Sequence, residues 1–143
     1  MNSFSLRDFS HYARLSELSR RVLNAAEQVA VALNHPRIGM GHVLLALLVE
    51  RRSPMCALLH ECGLNEDRLR HDLLRGDAVL LIGMDGVLVG ALGYAEHFGR
   101  HGIGTDHLLL AMTANEHGEG LLREYDADPD WVRARLEAYL RRQ

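Results

Sequence analysis

The sequence contains no lysine, because all sixteen of its basic residues are arginine. A phosphate-binding loop of the Gly-x4-Gly-Lys-Ser/Thr type requires a lysine, and so does a Schiff base with a carbonyl substrate. The sequence also lacks the Gly-x-Ser-x-Gly and His-Glu-x-x-His motifs of hydrolases and metalloproteases. These absences disfavour a P-loop ATPase and the commonest hydrolytic enzymes, and they predict a protein without a cofactor.

Cysteine, long apolar runs and excess charge are also scarce. The two cysteines, Cys56 and Cys62, are too few for a disulfide framework. The apolar run at residues 78–92 is interrupted by Asp85 and by glycines, and it is shorter than the roughly 20 residues of a membrane-spanning helix. A net charge of -3 and a pI near 6.3 disfavour nucleic-acid binding. Together with an N-terminus unlike a signal peptide, these features predict a cytoplasmic protein with no membrane segment.

A duplicated motif is the most informative feature that is present. Residues 38–42 read Ile-Gly-Met-Gly-His and precede an apolar stretch, and residues 103–107 read Ile-Gly-Thr-Asp-His and precede another, 65 positions later. The apolar stripe before the first motif recurs before the second at the same offset, which indicates an amphipathic helix in both places. The chain is therefore two copies of one helical unit.

Helical periodicity and capping residues predict four helices in each copy. Ser16 or Ser19 caps a first helix that ends near Leu33, and Asn65 caps the fourth. Asp128-Pro129-Asp130 begins the last helix. The fold class is all-α, a pseudo-twofold tandem repeat of two four-helix units within a single domain, residues 1–143.

The boundaries of the repeats follow from the same pattern. Repeat one covers about 16–75, the connector about 76–86 and repeat two about 87–143. The connector has strand propensity but no evident partner strand, so it is expected to be extended or to begin a helix. Residues 1–15 are expected to form a short helix, an ordered arm or a partly frayed terminus.

Two four-helix repeats with this motif resemble the Clp repeat domain at the N-terminus of Clp-family protein unfoldases. The resemblance covers about residues 12–140. It implies an all-helical domain that receives substrates, degradation tags and adaptor proteins, here free-standing without the ATPase modules, or else a fragment of a longer protein. A binding module, not an enzyme, is the function that the resemblance implies.

Some members of that family hold a phosphorylated arginine in each repeat, with an acid for the guanidinium and a hydroxyl for the phosphate. Carried over by position, the first pocket would combine the Ser16 hydroxyl with Gly41 in place of the acid. The second would combine Asp106 with Leu81 in place of the hydroxyl. The resemblance thus implies two half-equipped pockets, with binding expected mainly around Asp106 and Thr105. The alternative for Asp106 is a helix-start acid beside a Thr105 cap.

Actinobacterial members also accept cyclic peptide antibiotics in an apolar groove. Tyr12 and Leu80 stand at the corresponding positions, so they are the candidate lining of such a groove, with core packing as the alternative. The expected partners are peptides or marked client proteins. An accessory role, in which the chain docks on Clp unfoldase or protease subunits, is the alternative function.

Histidine and cysteine clusters suggest other sites. His42 and His107 begin equivalent helices, and duplicated positions favour a shared structural hydrogen bond over a metal or catalytic site. His97 and His101 have the spacing of two ligands on one helix face. The group Cys56, His60 and Cys62 lacks the paired spacing of a zinc site, so we expect no metal there.

Overall fold

The computed structural model describes residues 9–143, and in this part of the chain all regular structure is helical. Two isolated bridges are the sole β-type pairings among these residues. The all-α prediction is therefore confirmed. The eight α-helices are α1 Glu17–Ala32, α2 Met40–Val49, α3 Pro54–Glu61, α4 Glu66–Arg75, α5 Asp85–His97, α6 Thr105–Ala114, α7 Glu116–Glu124 and α8 Pro129–Arg141.

Helix α1 begins and ends where its sequence requires. Ser16 is the N-cap, and its Oγ accepts the backbone N–H of Ser19 at 3.1 Å. Asn34 adopts a left-handed φ of 59°, and the N–H of His35 reaches back to the carbonyl of Ala30 at 2.8 Å, which closes the last turn. The predicted end near Leu33 is confirmed to within one residue.

Helices α2 and α6 form the centre of the fold. Every residue of α2 from Met40 to Leu48 is buried, and so is every residue of α6 from Thr105 to Thr113 except Asp106. Both helices are largely apolar, as expected of helices enclosed by others. The predicted start of α2 near His42 is two residues late, because Gly39 is the N-cap.

The remaining predicted boundaries also agree with the structure. Gly63, after α3, has a φ of 81°. The side chain of Asn65 caps α4 by accepting the N–H of Arg68 at 3.1 Å. Asp128 caps α8 by accepting the N–H of Asp130 at 3.0 Å, with Pro129 at the first helical position.

The connector between α4 and α5 is neither strand nor α-helix. It forms a 3-10 turn over Ala78–Leu81, and Leu80 has no exposed surface. Its strand propensity reflects burial of the apolar side chain of Leu80 against the helices, since the described residues offer no sheet for it to join. A second 3-10 turn, Tyr12–Arg14, precedes α1, and Phe9 and Tyr12 pack partly buried against the core.

Each repeat is hydrogen-bonded to the segment that precedes the other repeat. The N–H of Ser16 donates to the carbonyl of Ile103 at 2.9 Å, and the N–H of Ile103 donates to the carbonyl of Arg14 at 2.7 Å. At the other junction, the N–H of Met40 donates to the carbonyl of Ile82 in the connector at 2.9 Å. The leading segments are thus exchanged between the repeats.

The contribution of helix propensity to stability can be measured at Gly93, which is exposed on α5. A Cβ at Gly93 would meet nothing within 4 Å, so Gly93→Ala should raise the free energy of unfolding by about 0.5–1 kcal/mol through helix propensity. Gly63→Ala is the matched control, because it also meets no atoms within 4 Å but has a positive φ and should destabilise. Urea denaturation measures both, and a destabilised Gly93→Ala variant would contradict the prediction.

Candidate functional site

Three helix N-termini converge on one cavity of about 160 Å³. They belong to α1, α3 and α6, and the C-terminal part of α8 closes the fourth side. The lining residues are Ser16, Leu18, Pro54, Met55, Gly104, Thr105, Asp106 and Tyr139. The first N–H groups of a helix have no intrahelical partner and carry its positive dipole end, so this cavity suits an anion.

The Ser16 hydroxyl belongs to a chain of hydrogen bonds at the start of α1. Its Oγ donates to Ser19 Oγ at 3.0 Å, and Ser19 Oγ donates to the carbonyl of Ile103 at 2.7 Å. Ser19 is fully buried, whereas Ser16 is partly exposed at the cavity. A ligand that takes the Ser16 hydroxyl hydrogen would draw it away from Ser19, while Ser19 keeps its bond to Ile103.

Thr105 is not the cap of α6, as had been expected, but its first residue, because Gly104 is the N-cap. The Thr105 hydroxyl lies 2.7 Å from that of Ser53, and both are buried. Ser53 Oγ also accepts the N–H of Met55 at 3.1 Å, which caps α3. One of the two hydroxyl hydrogens lies in the bond between Ser53 and Thr105. The other hydroxyl hydrogen is left to be donated at this wall of the cavity.

Asp106 places a carboxylate at the mouth of the cavity. Its Oδ1 accepts the N–H of His107 at 2.8 Å, and its side chain is 20% exposed. The carboxylate folds back over Gly104, where an added Cβ would lie 2.5 Å from Oδ1. The cavity therefore combines helix N-termini and hydroxyls with one negative charge, an arrangement that suits a ligand carrying both an anion and a cation.

The expected pairing of site residues within each repeat is wrong. The structure brings Ser16 and Asp106 into the same cavity, because the Ser16 segment pairs with repeat two at Ile103. At the equivalent place in repeat one, the side chain of Leu80 fills the space beside Gly41, where an added Cβ would lie 2.7 Å from that of Leu80. One site is thus equipped with both groups and its counterpart with neither.

The proposed apolar groove of Tyr12 and Leu80 does not form an open surface. Leu80 is 0% exposed and belongs to the core. Tyr12 is partly buried, and the guanidinium of Arg20 lies over its ring at 5.2 Å. Core packing, the alternative considered for both residues, is what the structure shows.

His42 and His107 make the same hydrogen bond, which agrees with their structural interpretation. His42 Nδ1 accepts the N–H of Gly39 at 2.8 Å, and His107 Nδ1 accepts that of Gly104 at 2.9 Å. Burial lowers the pKa of His42 to about 4, with help from the charge of His35. Burial also lowers the pKa of His107, an effect that Asp106 opposes. Both rings therefore stay neutral and serve as caps for α2 and α6.

The lowered pKa of His42 makes stability depend on pH. Below about pH 6.5, His42 becomes protonated in the unfolded chain. In the folded chain it stays neutral down to about pH 4. The free energy of unfolding should therefore fall by about 2 kcal/mol between pH 7 and pH 5 from this group alone. Urea denaturation at both values measures it. His42→Asn, which keeps an acceptor for Gly39, should show a smaller fall, and an equal fall would contradict the assignment.

The other clusters are separated or held by the backbone. Helix α5 ends at His97, and Gly99 has a φ of 70°, so His101 is not on the same helix face. The Cys56 thiol donates to the carbonyl of Leu48 at 3.0 Å, which His60 Nε2 also contacts at 3.0 Å. Burial raises the pKa of the Cys56 and Cys62 thiols. In the described part of the chain, no three such side chains are placed to hold a metal.

Sequence analysis missed the apolar wall of the cavity. Leu18, Pro54, Met55 and Tyr139 come from α1, α3 and α8, and none belongs to the duplicated motif. The Tyr139 equivalent in repeat one is Gly76, so the difference between repeats at this position was a signal that could have identified it.

The two-repeat helical fold is the fold of a Clp N-terminal domain. The sequence profile of the Clp repeat (R) N-terminal domain matches residues 14–79. Among its curated relatives is the ATP-dependent Clp protease ATP-binding subunit ClpC of Staphylococcus aureus, 29% identical over 121 residues, with 75% of this chain and 14% of the relative covered. The same subunit of Staphylococcus epidermidis is 28% identical over the same length. The chain thus spans 14% of the length of these relatives.

Solved structures show the same fold. The N-terminal domain of the caseinolytic protease-associated chaperone ClpD from Arabidopsis thaliana superposes with a TM-score of 0.70 at 18% identity, covering 90% of this chain and 96% of that one. A structure from a study of a malarial protein secretion system gives 0.68 at 18% identity, with 89% and 95% covered. No helix among residues 9–143 is long and apolar enough to cross a membrane.

Proposed function

We propose that the chain is a non-catalytic peptide- and degron-binding module related to substrate recognition by Clp proteases, and that it binds one phosphorylated arginine. The cavity between α1, α3 and α6 carries this proposal, because it unites the Ser16 hydroxyl and the Asp106 carboxylate. The family resemblance assigns these two kinds of group to the phosphate and to the guanidinium.

The chemistry of the cavity supports this ligand. A phosphoryl group needs N–H and O–H donors, which the N-termini of α1 and α6 and the hydroxyls of Ser16 and Thr105 supply. A guanidinium needs a carboxylate, which Asp106 supplies. At about 160 Å³ the cavity is smaller than the roughly 300–1,000 Å³ pockets of drug-sized ligands. It suits the head group of one side chain, with the aliphatic stem against Leu18 and Met55.

The expected stoichiometry is one. The counterpart in repeat one has Gly41 in place of the acid and Leu81 in place of the hydroxyl, and Leu80 occupies the space between. Burying a phosphate there without donors would be unfavourable. A single bound tag per chain follows from this asymmetry.

Calorimetric titration with phosphoarginine tests the proposal. Saturable binding at one site per chain is expected, with much weaker binding of arginine, which lacks the phosphate, and of phosphoserine, which lacks the guanidinium. Equal binding of all three, or no binding of phosphoarginine, would contradict it. In the latter case, a pull-down with Clp ATPase and protease subunits would test the alternative role of a docking regulator.

A further inference from the structure

Two histidine rings of repeat one are in contact where the repeat meets the connector. His35 Nδ1 lies 2.8 Å from His42 Nε2, and the ring centroids are 5.0 Å apart. His42 is fully buried and His35 partly so. The position of His35 is fixed by the closing turn of α1, through its N–H bond to Ala30.

The hydrogen bonds of this pair allow one arrangement of protons. Because His42 Nδ1 accepts the N–H of Gly39, the ring hydrogen of neutral His42 is on Nε2. That hydrogen is donated to His35 Nδ1, so the ring hydrogen of neutral His35 is on its Nε2. Two rings with one hydrogen each satisfy both bonds.

An additional proton cannot be accommodated without loss of one bond. If His35 Nδ1 takes it, two N–H groups face each other across the 2.8 Å contact. If the hydrogen between the rings moves to His35, His42 must carry its own hydrogen on Nδ1, which then faces the N–H of Gly39 at 2.8 Å. The first result breaks the contact between the rings, and the second opposes the placement of Gly39.

Gly39 is the residue against which the connector rests. It pairs with Gly83 of the connector, and an added Cβ would lie 2.3 Å from the carbonyl oxygen of Leu80. The adjacent Met40 N–H donates to Ile82 at 2.9 Å. The histidine pair is thus linked, through the N–H of Gly39, to the place where the connector contacts repeat one.

Few charges surround the pair. The charge that acts on the His42 ring is that of His35 itself. His35 Nε2 faces Gly76 at the end of α4, where Arg75 and Asp77 pair with each other at 3.5 Å. On the connector side, the Arg37 guanidinium lies over Gly83. No carboxylate contact to either ring is present among the described residues, so nothing offsets an added proton.

We propose that the His35–His42 pair is a proton-sensitive contact that holds the connector to repeat one at neutral pH and holds it less firmly in mild acid. Repeat two provides an internal comparison. It has the same closing turn, with Gly99 in place of Asn34, and the same cap between Gly104 and His107, but Arg100 in place of His35. The junction at Ser16 and Ile103 therefore lacks a second imidazole.

Amide hydrogen exchange by NMR tests the proposal. Between pH 7.5 and pH 5.5, the protection factor of the Met40 amide should fall about tenfold, since a histidine that is freed when the contact opens takes up a proton in this range. The Ser16 amide, which donates to the carbonyl of Ile103 at the other junction, should keep more of its protection. An unchanged Met40 amide, or an equal fall at Ser16, would overturn the proposal.

Two variants separate the pair from general acid destabilisation. His35→Asn keeps an acceptor for His42 but does not titrate, so the protection of Met40 should fall less than in the wild type between pH 7.5 and pH 5.5. His35→Arg introduces the residue of repeat two and should lower Met40 protection already at pH 7.5. The same loss of protection in His35→Asn as in the wild type would contradict the proposal. Ring nitrogen shifts in the wild type give an independent test, because a hydrogen on His42 Nδ1 at pH 7.5 would also overturn it.

Discussion

Replacing Asp106 by asparagine is expected to weaken phosphoarginine binding between about tenfold and about a hundredfold, the range for a hydrogen bond to a charged group. Asparagine has nearly the same size, and its oxygen can still accept the N–H of His107, which Asp106 Oδ1 accepts at 2.8 Å. The start of α6 should therefore be preserved. What is lost is the negative charge that faces the guanidinium.

Calorimetry of wild type and Asp106→Asn with phosphoarginine and with inorganic phosphate measures this effect. Phosphate alone should bind Asp106→Asn no more weakly than wild type, since the carboxylate repels an anion. Asp130→Asn is the matched control, because Asp130 also lies in the first turn of a helix but outside the cavity. Equal phosphoarginine affinity in wild type and Asp106→Asn would remove Asp106 from the site.

Replacing Gly39 by alanine is expected to destabilise the fold by about 3 kcal/mol, the upper part of the usual range for overpacking. The added Cβ would lie 2.3 Å from the carbonyl oxygen of Leu80 and 2.7 Å from Cα of Leu81. Both are backbone atoms, so no side-chain rotation relieves the clash. The connector would have to move away from α2, and the bond between Met40 and Ile82 would be strained or lost.

Urea denaturation gives the free energy of unfolding for this variant. Gly93→Ala provides the comparison, since it makes the same chemical change on a helix with no atom within 4 Å. Opposite signs for the two substitutions are expected. A Gly39→Ala variant as stable as the wild type would mean that the connector is not pressed against Gly39 in solution.

The helices could be predicted because their signals are local. The stripe of Val22, Leu23, Ala26 and Ala30 and the caps at Ser16, Asn65 and Asp128 depend on neighbours a few residues away, and the structure agrees with them to within a residue. The duplicated histidines were interpreted as structural because their positions recur in both repeats, and the bonds they make are local. In each repeat the histidine ring accepts the backbone N–H of the glycine three residues before it, and this bond caps the helix.

The composition of the cavity could not be predicted in this way. A repeat offset identifies which residues are equivalent, but it does not tell which repeat a segment touches. Ser16 was therefore assigned to Gly41 and not to Asp106, and the error follows from a backbone pairing 87 residues apart, between Ser16 and Ile103. The His35–His42 contact was missed for a related reason, because the equivalent of His35 is Arg100 and the repeat comparison showed no shared motif there.

The exchange of leading segments has a consequence for how a duplicated gene can diverge. The cavity draws Ser16 from the start of repeat one and Asp106 from repeat two, and its filled counterpart is formed by Gly41 of repeat one and by the connector with Leu81. Changes in different halves of the gene can thus alter one of the two positions while the other stays as it is. A single copy excised from the chain would contain half of each cavity, and its smallest complete equivalent would be a pair of such copies.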